Sequence, residues 1–328
     1  MSERRFEFAT ILTAQGLGPP DARTMQDLWQ IVDEGVLGAS VHVRIGVDLI
    51  QYLIQSDPDP GRALRTAIAA ADFLTATRGL DTPVIGNSMA LLLKDFEIVP
   101  PEHRCDELAA RAAAFKSDMD RRKRDLVAHA IERLHLVQTV FAFDYSSTVA
   151  AIVIGLGRLQ PNLTIVVPES RSIAGGLRYL LAFAEAGLTI RYLPDAAIEF
   201  GLGLSDVVLL GVETLRDDGS FLNTIGSRMV ARLARVAAID VYGCTDLLKL
   251  DRRNSAAAAR VPAMRNYNNV LLQDIHLPPE SRISTVAPEL EVVPGELTTA
   301  LLTEFGPVRP DAIGKLGERV FGPLERHG

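Results

Sequence analysis

The chain has 328 residues, 48% hydrophobic and 23% charged, with a formal net charge of −7 at pH 7. That composition is ordinary for a globular protein of about two domains, and the acidic balance argues against a general nucleic-acid-binding surface, which is basic. Cys105, Cys244 and six scattered histidines show no metal-ligand spacing, no apolar run reaches the roughly 20 residues that span a bilayer, and the start Met-Ser-Glu-Arg-Arg-Phe lacks a signal-peptide core; a cytoplasmic protein with no metal and no cofactor is expected.

Residues 22–136 read as helical. "DARTMQDLWQIVDEG" opens on an Asp cap and closes at Gly35. "ASVHVRIGVDLIQYLIQ" places Val43, Val47, Leu53 and Ile54 at mostly helical spacing. "DPDPGRALRTAIAAADFLTATRG" begins with proline punctuation and then repeats apolar residues on one face. "PEHRCDELAARAAAFKSDMDRRKRDLVAHAIERL" is a long amphipathic helix, and its run Arg121-Arg-Lys-Arg124 reads as a solvated face in an acidic chain.

Near residue 137 the pattern changes. Short apolar or β-branched runs, "VQTVFAF", "LTIVVP", "LTIRYLP", "SDVVLLGV" and "IDVYGC", alternate with the helical "STVAAIVIGLG", "SIAGGLRYLLAFAEAG" and "NTIGSRMVARLARVAA". Strands alternating with helices imply βαβ units and a mostly parallel sheet covered on both faces. The predicted organisation is a helical domain over 1–136 and a Rossmann-like α/β domain over 137–328. Residues 251–294 look like an extended arm, and "PGELTTALLTEF" a final short helix. No G-x-G-x-x-G follows the first strand and no P-loop is present. The helical part is expected to cover the mouth of the sheet.

"GVETLRDDGSFLNTIGS", residues 211–227, sets Glu213 at the end of an apolar strand beside Asn223 and Gly226. In an open α/β sheet, ligands bind at the carboxyl ends of the strands. Arg171, after "TIVVP", has the bidentate geometry that holds phosphate, and Gly175 and Gly176 place helix amides nearby. Two roles are open to Asn223, capping a helix or reaching a ligand hydroxyl, and Gly226 serves packing or close ligand approach.

The segments "VVPESRSIAGG", "GLTIRYLPDAAI", "VVLLGVETLRDDGSFLNTIGS", "IDVYGCTDLLKLD" and "LEVVPGELTTALLTEFGPVRP" together resemble the initiation factor 2B alpha/beta/delta family. That family includes regulatory subunits of a nucleotide-exchange factor, methylthioribose-1-phosphate isomerase and ribose-1,5-bisphosphate isomerase. The resemblance covers most of the chain and implies a phosphorylated sugar or nucleotide as ligand and a homodimer. It sets Gly38 and Ala39 of "GVLGASVHV" among the ligand-binding positions. The family's isomerases are thought to use one cysteine and one aspartate; Tyr145 stands in the cysteine's place and Glu213 in the aspartate's. Cations of the family pattern are replaced at Leu37, Thr82 and Thr224. The resemblance thus implies a non-catalytic or regulatory ligand-binding member; the alternative is a divergent aldose–ketose isomerase with Glu213 as base and Asp144 or Tyr145 as acid.

Overall fold

The computed structural model describes residues 4–33, 38–253, 263–273, 275–278 and 280–322. Its contacts divide the chain into two compact units, Met1–Arg122 and Lys123–Gly328.

The first unit is helical: α1 (Arg5–Ala14), α2 (Ala22–Val32), α3 (Ala39–Ser56), α4 (Pro60–Ala76), α5 (Arg78–Asp81), α6 (Pro83–Leu93) and the start of α7 (Arg104–Leu134). Asp21 caps α2 by accepting from Thr24 N at 2.8 Å. Asp59 caps α4, which opens on Pro60, where a missing N–H costs nothing. The core stripe of α4 is Ala63, Ala67, Ala70 and Leu74, the helical spacing that turns one face inward. Arg121 and Arg122 both pair with Asp118, so part of the basic run is spent on local ion pairs. The division between units falls inside α7, whose Leu126, Ala130 and Leu134 pack into the core of the second unit.

The second unit alternates β1 (Thr139–Phe143), α8 (Ser147–Leu159), β2 (Thr164–Pro168), α9 (Gly175–Glu185), β3 (Thr189–Leu193), α10 (Ile198–Leu202), β4 (Val207–Gly211), β5 (Thr214–Leu215), β6 (Phe221–Thr224), α11 (Ser227–Val236) and β7 (Asp240–Cys244). Then come β8 (Met264–Asn266), α12 (Asn268–Leu271), β9 (Val286–Pro288), β10 (Leu290–Val293), β11 (Ala300–Thr303), β12 (Gly306–Val308) and α13 (Ile313–Phe321). Seven strands form one sheet in the order β12-β11-β7-β4-β1-β2-β3. Every pairing in it is parallel except β11 with β12. Val140 and Ala142 enter the core under α7, α8 and α9; Phe141 and Phe143 enter the one under α10, α11 and α13. Both faces of the central strands β1, β2 and β4 are covered, which is why these strands read as apolar throughout. The Asp206 carboxylate accepts from Gln138 N and Thr139 N and pins the starts of β1 and β4 together.

Three expectations change. "TALLT" is strand β11, not a helix: Leu301 and Leu302 are fully buried in opposite cores, a placement adjacent residues reach only in extended chain. Asn223 lies on β6, not at a helix start, and α11 begins after Gly226. Helix α9 begins at Gly175, so the two glycines are its first residues. The arm contributes β10, which pairs antiparallel with β6 in a second sheet with β5.

Candidate functional site

The chain runs β1, β2, β3 to one side of the sheet, then returns to place β4 on the other side of β1. The loops leaving β1 and β4 therefore part, and the crevice between them is the switch point where doubly wound sheets take ligands. Asp144 directly follows β1 and Glu213 follows β4 by two residues.

Asp144 adopts a left-handed conformation, φ 57°, and is buried at 5% exposure. Its Oδ2 accepts from Thr224 Oγ1 at 2.5 Å, and Oδ1 accepts a long 3.4 Å bond from Ser170 Oγ. Burial raises the carboxyl's pKa; the bonds from Thr224, the Tyr145 amide and Ser170 oppose that, and the charge of Glu213 raises it further. Glu213 is half-buried and its N–H donates to Leu222 O at 2.9 Å. Ser170 (φ 45°) and Ala174 (φ 53°) are also left-handed. Three strained non-glycine residues thus meet at one sheet edge, as happens where surrounding structure over-determines a functional loop.

The other predicted residues sort as follows. Tyr145 turns from this carboxyl pair: its ring packs on Tyr179 at 5.2 Å and carries the Arg178 guanidinium at 4.0 Å. A Cβ on Gly175 would fall 2.2 Å from Asp144 Oδ1, and one on Gly176 2.0 Å from Pro168 O. Their N–H groups are taken by Ser170 O and Glu169 O, so both glycines serve close packing. The Arg171 side chain is exposed and reaches Val270 O at 3.5 Å. Asn223 donates to Ser227 Oγ at 2.9 Å, with its amide oxygen toward Gly211. Gly226, φ 102°, leaves no room for a Cβ against the Phe143 ring. Gly38, Ala39 and Thr82 belong to the helical unit: Gly38 O accepts from Val41 N and His42 N at the start of α3, Ala39 is the first residue of α3, and Thr82 precedes α6. Leu37 lies outside the described residues.

Sequence reasoning missed four chain-supplied partners. Asp195 accepts from the amides of Ser170 and Arg171 at 2.8 and 2.9 Å. Glu291 accepts from those of Gly226 and Arg228 at 2.7 and 3.0 Å and pairs with Arg228 Nε at 3.2 Å. Glu304 accepts from Leu247 N. Lys249, half-buried, donates to Val212 O at 2.5 Å, beside Glu213. All four lie within segments quoted above, but each holds a backbone group on an element distant in sequence. Among the described residues no group of three or more His, Cys, Asp or Glu is placed to hold a metal ion, and no helix is long and apolar enough to cross a membrane. A surface groove of about 990 Å³ in the helical unit is lined by Ile98, His103 and Arg111 among others, but Arg111 is already engaged by Glu107 and by the Leu92 and Lys94 carbonyls.

The profile of the Initiation factor 2 subunit family matches residues 40–310. The chain belongs to this family. Its relatives include proteins named as initiation factor subunits and proteins named as isomerases. "Ribose 1,5-bisphosphate isomerase" of Haloferax volcanii is 25% identical over 269 residues, 82% of this chain and 83% of that protein. "Translation initiation factor eIF2B subunit alpha" of Caenorhabditis elegans is 22% identical over 176 residues, 54% of this chain and 56% of that protein, so the match spans about half of the worm subunit. The crystal structure of 5-methylthioribose 1-phosphate isomerase from Pyrococcus horikoshii superposes with a TM-score of 0.73 at 18% identity, covering 90% of this chain and 87% of that one. At that identity the likeness establishes the shared family fold.

Proposed function

We propose that this initiation factor 2 family member binds a small phosphorylated sugar or nucleotide at the β1/β4 switch point, as a regulatory subunit would, without turning it over. The observation that carries this is the buried Asp144 carboxyl at the crevice, bonded by Thr224 and Ser170 and within electrostatic reach of Glu213. Neighbouring carboxyls with hydroxyl and amide groups suit the hydroxyls of a sugar. The helix-start amides of Gly175, Gly176, Gly226 and Arg228 are engaged, so charge neutralisation falls to side chains, with Arg171 and Lys249 as cations at this edge. No thiol supports turnover here: Cys244 is buried and its thiol is pushed up by desolvation, far from the thiolate that attacks. A homodimer is part of the same reading.

The test is calorimetric titration with ribose 1,5-bisphosphate, methylthioribose 1-phosphate and AMP. At least one should bind, and Glu213→Gln should weaken it about tenfold or more, as expected for a lost bond to a charged group. Absence of binding by all three would remove the reading. A second reading, proton transfer between sugar carbons, is favoured by the unequal surroundings of Asp144 and Glu213, since separated carboxyls supply acid and base. Exchange at C2 in deuterated water, abolished in Glu213→Gln, would establish it.

A further inference from the structure

Helix α11 buries Ser227, Val230, Ala231 and Ala234. At about 3.6 residues per turn, Met229, Arg232 and Val236 fall on the opposite face, and all three are exposed. Arg228 and Arg235 lie along the flank that meets β10 and the turn after it. There Arg228 is answered by the Glu291 carboxylate at 3.2 Å, while Arg235 donates to the main-chain carbonyl of Glu296 at 3.0 Å. Among the described residues no carboxylate pairs with Arg232 or Arg235. The arginines of α7 differ: Arg111 pairs with Glu107, and Arg121 and Arg122 with Asp118. In a chain of net charge −7, two unneutralised guanidiniums one turn apart reverse the charge locally. Apolar side chains stand beside them. Val236 is 87% exposed and Met229 47%, and α10, packed beside α11, adds the exposed Phe200.

We propose that the outer face of α11 docks an acidic amphipathic helix of another protein, with Arg232 and Arg235 receiving two of its carboxylates and Met229 and Val236 packing on its apolar stripe. Charge complementarity names the occupant. The planar fork of arginine holds a carboxylate by two bonds, and arginine is enriched among the residues that anchor interfaces. A helix sets carboxylates three or four residues apart on one side, the same one-turn spacing as Arg232 and Arg235. The apolar residues beside them exclude water from those bonds. A nucleic acid fits this face less well, because neutralising a phosphate backbone takes a row of cations. An anionic bilayer surface likewise asks for clusters of roughly four to eight basic residues. Arg232, Arg235 and Val236 lie in the C-terminal half of α11, away from Gly226 at the crevice, so this surface does not depend on the ligand reading above.

The experiment titrates the full chain, with its methionine methyl groups isotope-labelled, against a synthetic peptide of about 18 residues, long enough to hold a helix. The peptide carries leucines on one face and glutamates flanking them; its counterpart has lysine in place of every glutamate. The glutamate peptide should bind about tenfold or more tightly than the lysine peptide, with the gap narrowing as salt rises. It should shift the Met229 methyl signal in NMR and leave that of the buried Met89 unmoved. Arg232→Glu with Arg235→Glu should reverse the preference, so that the lysine peptide binds the tighter. Both positions are exposed, so the urea midpoint should stay at the wild-type value. Should that variant misfold, Arg232→Gln with Arg235→Gln should erase the preference without adding repulsion. Binding of neither peptide by wild type, or of both equally, would overturn the proposal. A preference for the glutamate peptide that both double variants keep would overturn the role of α11. Self-association of wild type that the double variants abolish would make the occupant a second copy of the chain. Duplex DNA or phosphatidylserine vesicles held through Arg232 and Arg235, with the glutamate peptide unbound, would replace the protein partner with a nucleic acid or a membrane.

Discussion

Asp144 is a carboxyl that the fold holds at a cost. Its pKa is raised, by desolvation first and by Glu213 among the opposing charges, so the folded state keeps a proton that the unfolded chain releases. The stability contribution is fully present below the ordinary Asp value of the unfolded chain. It is lost as pH rises from there through the raised folded value. Asp144→Asn removes this dependence while leaving Thr224 an oxygen to donate to. The variant should therefore gain stability over wild type as pH rises through that window, in urea melts at a series of pH values. A variant no more stable at neutral pH than at pH 4, relative to wild type, would mean that Asp144 is not held protonated. Glu213→Gln should move the Asp144 titration downward, because a repelling charge is gone. The sequence shows Asp144 at a strand end. That Thr224, 80 positions away, supplies its partner hydroxyl is a product of the β6 turn and has no local signal.

The loop from β2 into α9 is where element packing sets the site. Gly176 lies against backbone, 2.0 Å from Pro168 O to a built Cβ, and Gly175 against Asp144 itself. Backbone cannot step aside as a flexible side chain does. Gly176→Ala should cost about 3 kcal/mol in denaturant unfolding, near the upper end for overpacking. Gly187→Ala makes the control: its φ is +71° with nothing within 4 Å of a Cβ, so only left-handed strain of about 1 kcal/mol applies. Comparable costs at both positions would refute the close approach. The alternation of strands and helices was legible because apolar runs of four to six residues repeat between caps and glycines. What was not legible follows from long-range pairing. "NTIG" resembles a helix start until β10 arrives to pair Asn223 with Glu291, and "TALLT" resembles a helix turn until β7 accepts it as a parallel neighbour. Likewise, Gly175 and Gly176 read as helix amides placed to bind phosphate, but those amides are consumed by the turn itself, which the sequence does not encode locally.

At the scale of the whole molecule, exposed apolar side chains are unevenly placed along the second unit. The ending "ALLTEFGP" is mostly withdrawn into the sheet, with Leu301 and Leu302 fully buried and Phe305 left exposed. The arm after β7 is the reverse: Met264, Leu271, Ile275, Leu277, Ile283 and Val286 are all exposed. Single exposed apolar residues are ordinary, but several in one short segment mark an interaction surface. A homodimer that covers the arm should bury about 2,000 Å² or more, the size of an obligate interface. Light scattering at micromolar concentration should then give a particle of twice the chain's mass. Ile275→Asp with Ile283→Asp should release monomer with little change in monomer unfolding free energy, since exposed substitutions away from special features shift stability by about 0.5 kcal/mol or less. A wild-type monomer at that concentration would leave the arm without this role. A double variant that stays dimeric would place the contact elsewhere on the second unit, with the edge strand β3 and its exposed Tyr192 as the next surface to change.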